Sequence, residues 1–239
     1  MQTHIASAPS VSRRKALGLL SLSTAALASG GLSAAPLRAA TPADAALPAI
    51  RTPLDAMAEL ISGNRRFMEG RPVGPHRTMA RVQELAAGQA PFAAVLSCAD
   101  SRVPVEILFD QGVGDLFVCR AAGNVVTPEL IGSLEFGTVV LGARAVVVLG
   151  HTECGAVKAT IAGDPVPGQI STLYRHIRPA VDRTPSRELE EVSRENVRVQ
   201  ADLLRTSSPV IAQLVREDKL MVVGAVYDVG TGRVTLLDA

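Results

Sequence analysis

The chain has 239 residues, of which 47% are hydrophobic and 20% charged, a composition that excludes a disordered or fibrous protein. This length predicts one sizeable globular domain, because domains commonly contain about 100–200 residues. With 24 basic and 23 acidic residues the formal net charge is +1, and aromatic residues make up only 3%. Neither a strong positive field nor stacking aromatics are present, so we exclude nucleic acid as a partner and expect a small-molecule substrate.

The first forty residues are typical of an export signal. Arg13 and Arg14 precede a mildly apolar run at 16–28, and small residues follow up to Ala40. This order resembles a twin-arginine export signal, and the run is shorter than the roughly 20 residues of a membrane-spanning helix. We therefore expect residues 1–40 to be a cleaved signal recognised by the export machinery, and the mature protein to be periplasmic or extracellular. A disordered basic tail is the alternative interpretation.

After a linker at 41–52, residues 53–239 are predicted to form the catalytic domain. Its apolar residues recur first at helical spacing and then in short buried runs that are typical of strands. The first predicted elements are helices at 53–69, 78–87 and 128–141 and strands at 92–97, 115–120 and 145–150. Strands that alternate with helices predict an α/β fold with a mostly parallel central sheet flanked by helices, preceded by an N-terminal helical arm.

The C-terminal part continues this pattern after a polar arm at 163–186. Helical spacing predicts helices at 187–206 and 209–217. The chain then ends in a predicted strand pair, 220–228 and 233–237, joined through a glycine-containing turn.

Two short motifs carry the side chains with chemical potential. Cys98-Ala99-Asp100-Ser101-Arg102 and His151-Thr152-Glu153-Cys154-Gly155 each follow a predicted buried strand, and ligands of parallel sheets gather at the carboxyl ends of strands. Zinc accepts thiolate sulfur and imidazole nitrogen in a tetrahedron, and catalytic zinc sites keep three protein ligands and one open position. We therefore predict that Cys98, His151 and Cys154 bind zinc.

Asp100 and Arg102 form a predicted gate beside this site. Asp100 lies two residues from Cys98, close enough to occupy the fourth zinc position, while Arg102 is able to hold its carboxylate bidentately. When Arg102 holds the carboxylate, the zinc carries water; when the pair breaks, Asp100 becomes the fourth ligand and closes the site. A zinc-bound water has a pKa near 7 in such sites, so hydroxide is available as a nucleophile at neutral pH.

Together these motifs resemble the β-class carbonic anhydrases, and the resemblance extends from the helix end at 63–67 to the closing strands. It implies a zinc enzyme that reversibly hydrates carbon dioxide to bicarbonate and a proton by attack of zinc-bound hydroxide. It also implies one zinc ion per subunit and a homodimer or a higher oligomer built from dimers.

The resemblance assigns roles to individual residues. It implies that Cys98, His151 and Cys154 are the zinc ligands and that the Asp100–Arg102 dyad orients the hydroxide. Residues that match the substrate cleft, part of which the neighbouring subunit supplies, are Gln89, Phe117, Phe136 and Gly155. Residues 120–124 match the family's glycine-bearing turn beside the site.

Three alternatives remain open at the level of sequence. The same site is able to hydrolyse carbonyl sulfide or carbon disulfide, because zinc hydroxide attacks any small linear electrophile that reaches it. A catalytically silent zinc-binding homologue would keep the ligands without turnover. Thiol redox chemistry would instead require a disulfide between Cys98 and Cys154.

Overall fold

The computed structural model describes residues 49–237, so the predicted signal and most of the predicted linker lie outside the described residues. Two helices precede the first strand, as predicted: α1 (Pro53–Met68) and α2 (Met79–Glu84). The first of them begins at a capping box, in which the Thr52 hydroxyl accepts the N–H of Asp55 and the Asp55 carboxylate accepts the N–H of Thr52. No helix between residues 49 and 237 has the length and apolarity needed to cross a membrane.

A five-stranded sheet forms the centre of the domain, in the order β2-β1-β3-β4-β5. Its strands are β1 (Ala93–Ser97), β2 (Leu116–Arg120), β3 (Ala145–His151), β4 (Met221–Tyr227) and β5 (Val234–Leu236). The first four are mutually parallel, and only β5 is antiparallel to its neighbour. Every residue of β1 and β3 is buried, because helices cover both faces of the sheet at its centre. The predicted mostly parallel α/β fold is therefore confirmed.

The remaining helices complete these two covering layers. They are α3 (Val105–Leu108), α4 (Pro128–Glu135), α5 (Gly155–Ala162), α6 (Tyr174–Arg183), α7 (Leu189–Ser207) and α8 (Pro209–Arg216). Leu96 and Val148 point to the face covered by α7, whereas Val95 and Val147 point to the face covered by α1, as the two-residue period of a strand requires. Helix α7 packs so closely on β3 that a Cβ at Gly150 would lie 2.4 Å from Cγ2 of Val197.

Two predicted segments differ from the structure. The predicted helix at 128–141 ends at Glu135, and one π-helical turn, Phe136–Val140, follows it. The predicted polar arm at 163–186 contains a 3-10 turn (Gly168–Leu173) and then α6. The helix α6 buries only Ile177, Ala180 and Val181, at helical spacing, so its polar composition and internal Pro179 obscure it in the sequence.

Candidate metal centre and active site

The sheet brings the two sequence motifs together. In the pairing of β1 with β3, Ser97 lies opposite Leu149, so Cys98 and His151 emerge side by side at the carboxyl edge of the sheet. Cys154 caps the amino end of α5, three residues beyond His151. The ligand atoms of Cys98, His151 and Cys154 all lie within 4.8 Å of one another, and all three residues are buried. The predicted convergence of two sulfurs and one imidazole is thus present in the fold.

The imidazole of His151 is oriented for a ligand. Its Nδ1 lies 2.8 Å from the carbonyl oxygen of Thr152. Because a carbonyl only accepts hydrogen bonds, Nδ1 carries the proton and Nε2 carries the free lone pair. Nε2 is buried and has no hydrogen-bond partner among the described residues. Buried polar atoms are rarely left without a partner, and a metal-ligating histidine commonly donates its other N–H to a carbonyl in this way.

The two sulfurs of the site have opposite pKa shifts. The neighbouring Cys154 thiol lowers the pKa of Cys98 against the opposing effect of burial. The same pairing raises the pKa of Cys154, and burial adds to this rise. Burial lowers the pKa of His151, but the neighbouring Cys98 outweighs it, so the pKa is raised overall. Thiolate sulfur together with imidazole nitrogen is a donor set that zinc prefers, and the residues therefore fit this ion.

Asp100 and Arg102 form the bidentate pair that the sequence predicts. Nε of Arg102 lies 3.0 Å from Oδ1 of Asp100, and Nη2 lies 2.8 Å from Oδ2. These bonds hold the pKa of Asp100 well below its usual range, so the carboxylate is charged at neutral pH. Its Oδ2 also lies 3.8 Å from Nε2 of His151, which directs the carboxylate towards the three candidate ligands.

Arg102 and Arg120 fix the backbone of the two motifs. Nη2 of Arg102 donates to the carbonyl of Glu153 at 3.1 Å, and Glu153 adopts a left-handed backbone with φ of 55°. Arg120, at the end of β2, donates to the carbonyls of Cys98 at 3.0 Å and Asp100 at 2.6 Å. The role of Arg120 was not predicted. Arg120 is, however, the first residue of the turn at 120–124, which the family resemblance implied lies beside the site.

The predicted cleft residues are not all gathered around one metal centre. Gly155 follows Cys154 directly, at the start of α5. Gln89 is exposed in the loop before β1, and Phe117 lies near the amino end of β2, away from Arg120. The rings of Phe117 and Phe136 are 6.5 Å apart, and Phe136 is 48% exposed. Their role in the cleft therefore stays a prediction that requires a second subunit.

Comparison with known proteins identifies the family. A family model described as carbonic anhydrase matches residues 93–234. Carbonic anhydrase 2 of Mycobacterium tuberculosis is 37% identical over 193 residues, which cover 78% of this chain and 93% of that protein. The structure of the Coccomyxa β-carbonic anhydrase in complex with acetazolamide is 27% identical, with a TM-score of 0.62 over 76% of this chain and 86% of that one. The chain belongs to the β-carbonic anhydrases.

A further structure supports the same fold. A tetrameric β-carbonic anhydrase from the ascomycete Sordaria macrospora superposes with a TM-score of 0.63 and 24% identity, covering 77% of this chain and 98% of that one. The family match begins at the first residue of β1 and ends at the first residue of β5, so it contains the whole sheet apart from the end of β5. Both motifs of the candidate metal centre lie inside this matched region of the carbonic anhydrase family.

Proposed function

We propose that this chain catalyses the reversible hydration of carbon dioxide to bicarbonate and a proton at one zinc ion per subunit, held by Cys98, His151 and Cys154. The observation that carries the proposal is the buried Nε2 of His151, which lacks a hydrogen-bond partner among the described residues and faces two sulfurs. When bound, zinc lowers the pKa of a coordinated water and so supplies a nucleophile at neutral pH.

The Asp100–Arg102 pair orients the attacking solvent. Arg102 bonds to both carboxylate oxygens, so Asp100 remains charged and is paired with Arg102 beside the residues that would hold the zinc. Its carboxylate accepts a hydrogen bond from the solvent molecule and thereby directs a lone pair towards the substrate carbon. The bidentate geometry supports a proposed open state of the gate, in which Asp100 is bonded to Arg102.

A neighbouring subunit completes the substrate cleft in this proposal. Gln89 donates a hydrogen bond to a substrate oxygen as charge develops, while Phe117 and Phe136 provide an apolar wall and Gly155 leaves room beside the ligands. The proposal is supported by the exposure of Phe136 and by the separation of Phe117 from the candidate ligands of its own chain. It requires at least a homodimer.

We also propose that the enzyme is exported across a membrane. The support is the sequence alone: the pair Arg13-Arg14, the apolar run at 16–28 and the small residues before Ala40. Export through a twin-arginine route carries a folded protein, so the metal would be loaded before the cysteines leave the reducing cytosol.

The test combines metal analysis with stopped-flow kinetics on residues 41–239. We expect about one zinc per chain and rapid hydration of carbon dioxide. His151→Ala is expected to lose the zinc and to lower the rate at least about 100-fold. Residues that only orient a metal ligand contribute up to about 100-fold, so removing a ligand itself should cost at least as much. A zinc-free chain, or full turnover by His151→Ala, would contradict the proposal.

The competing functions are separated on the same preparation. Release of sulfide from carbonyl sulfide or carbon disulfide is measured beside carbon dioxide hydration, and a dominant sulfide signal would favour the sulfur substrates. Zinc binding without any turnover would indicate a catalytically silent homologue. His176→Ala is a suitable control, because this histidine lies on α6, is only half-buried and is outside the candidate ligand set.

A further inference from the structure

The turn at 121–126 donates a backbone hydrogen bond to one of the candidate zinc ligands. Gly123 donates its N–H to Sγ of Cys98 at 3.2 Å, and this contact is buried. The turn needs an uncommon backbone, because φ is 75° at Gly123 and 45° at Asn124. A left-handed backbone costs a non-glycine residue about 1–2 kcal/mol, so neighbouring structure must hold this turn in shape.

Helix α7 supplies two side chains that hold the turn. Nδ2 of Asn196 donates to the carbonyl of Gly123 at 2.9 Å, and Oε1 of Gln200 accepts the N–H of Val126 at 2.8 Å. Nε2 of Gln200 also donates to Oδ1 of Asn196 at 3.2 Å. Both side chains are 0% exposed. Residues four apart lie on the same face of a helix, so the two amides act on the turn together.

Burying an amide side chain costs free energy unless its polar atoms are hydrogen-bonded. Two buried amides on one face of α7 are therefore not explained by packing alone. Asn196 and Gln200 bond to the Gly123 carbonyl and the Val126 N–H, which follow the Gly123 N–H in the turn, and Nε2 of Gln200 also donates to the carbonyl of His176 on α6 at 2.9 Å. Loss of either side chain would leave a buried backbone group unpaired and release the turn, while the strands that carry Cys98 and His151 would remain paired.

We propose that Asn196 and Gln200 are positioning residues of the metal centre, which keep the Gly123 N–H on Sγ of Cys98 and so reduce the electron donation of this sulfur to the bound ion. Hydrogen bonds to a ligating sulfur are an established means by which a protein tunes its metal. The inference rests on the proposed function, because it requires Cys98 to be a ligand.

Ser193 provides a matched control on the same helix. It lies one turn before Asn196 and is 4% exposed, but its buried Oγ has no hydrogen-bond partner among the described residues. Ser193→Ala therefore removes a buried polar atom from α7 without breaking a bond to the 121–126 turn.

The experiment uses cobalt(II) in place of zinc in the unsubstituted chain and in Asn196→Ala, Gln200→Ala and Ser193→Ala. In Asn196→Ala we expect the thiolate-to-cobalt charge-transfer band to move to lower energy, since the sulfur becomes a stronger donor. We also expect the dissociation constant for cobalt to rise about 10-fold, because a released turn no longer holds Cys98 in its binding position and this loss outweighs the stronger donation of the sulfur. Gln200→Ala, which leaves the bond between Asn196 and Gly123 intact, should show a smaller shift in the same direction and is decisive if Asn196→Ala does not fold. Ser193→Ala should match the unsubstituted chain.

The outcomes separate this inference from the proposed function. If the unsubstituted chain binds neither zinc nor cobalt, the proposed function fails and the inference fails with it. If that chain binds cobalt and shows the band, but the folded Asn196 and Gln200 variants have the same band and affinity, the positioning role alone is overturned.

Discussion

Two buried polar clusters of this protein differ in how completely their atoms are bonded. In the cluster of Glu59, Arg66 and Asp110, here called the Asp110 cluster, the carboxylate of Asp110 accepts Nε of Arg66 at 2.7 Å and the N–H groups of Val73 and Gly74 at 2.9 Å each. Arg66 also bonds to Glu59 at 2.8 Å. In the metal centre, by contrast, Nε2 of His151 is buried and unbonded.

This difference separates a structural cluster from a ligand site. Asp110 is 0% exposed, yet both of its oxygens are paired within the chain, so the cluster needs no ligand. The metal centre holds two sulfurs and a free imidazole lone pair within 4.8 Å of one another, a set of donors that a cation would complete. Burial and charge alone do not distinguish the two clusters, and neither does an unpartnered atom alone, since Oε1 of Gln111 beside the Asp110 cluster is also buried without a partner among the described residues. What distinguishes the metal centre is that its unpartnered Nε2 belongs to a group of three candidate metal ligands.

The largest expected effect on stability comes from Asp110→Ala. Removing one partner of a buried ion pair costs about 3–5 kcal/mol, and here it also leaves the N–H groups of Val73 and Gly74 without their acceptor, while Arg66 keeps Glu59. We expect this loss in the free energy of unfolding in urea, with unchanged zinc content and turnover per folded chain. Asp202→Ala is the control, since its ion pair with Arg205 is exposed and is worth at most about 1 kcal/mol. A loss of zinc in folded Asp110→Ala would mean that the two clusters are coupled.

At the metal centre the corresponding change is Arg102→Ala, which should affect rate rather than stability. We expect full zinc occupancy and a fall of about 100-fold in kcat, equivalent to about 2.7 kcal/mol, because Asp100 is no longer held to orient solvent. The measurement is stopped-flow hydration with zinc analysis, and Arg216→Ala on the exposed end of α8 is the control. Unchanged rates in both Arg102→Ala and Asp100→Ala would remove this pair from the mechanism.

The same glycine-to-alanine change at the two clusters sharpens the comparison. A Cβ at Gly63, beside the Asp110 cluster, would lie 1.8 Å from the carbonyl oxygen of Phe109, whereas a Cβ at Gly155 would have nothing within 4 Å. Gly63→Ala should therefore lower the free energy of unfolding by about 1–3 kcal/mol, the usual cost of overpacking. Gly155→Ala should leave stability within about 0.5 kcal/mol, as expected for a change without a clash. Equal stability losses in thermal unfolding of the two variants would contradict the prediction that only Gly63→Ala creates a steric clash.

The smallest expected effect is the acid dependence of stability. Burial raises the pKa of Asp110, but the bonds from Arg66, Val73 and Gly74 outweigh it and lower the pKa below the ordinary aspartate value of 3.8. A folded-state pKa below the unfolded one contributes stability that is present above pH 3.8 and is lost as the pH falls towards the folded value. Asp110→Asn should flatten this loss in unfolding curves measured below pH 4. An identical acid slope in Asp110→Asn would assign the dependence to other carboxylates.

Much of the fold was predictable because the sheet is buried on both sides. The central strands are continuous apolar runs, such as 145–150, and they end at polar residues, so both the strands and the carboxyl-edge position of Cys98 and His151 follow from the sequence. The helix α6 was missed because its apolar residues are few, and α5 was missed because its apolar residues are spread around the helix.

The candidate ligands and the Asp100–Arg102 pair were also predictable, since each lies in a short motif at a strand end. The supporting contacts were not, because they join residues far apart in the chain. Asn196 lies 73 residues from Gly123, and Arg66 lies 44 from Asp110. An Asn or Arg on a helix gives no local sign of the backbone atom or carboxylate that it will meet.

The register between β1 and β3 has a consequence for how this centre tolerates change. The ladder that pairs Ser97 with Leu149 sets the spacing between Cys98 and His151, whatever the length of the loops between these strands that lie outside 99–102 and 120–126. Insertions in those loops would therefore leave the candidate ligands in place, whereas a one-residue slip in register would turn every side chain of one strand to the opposite face and separate the ligands.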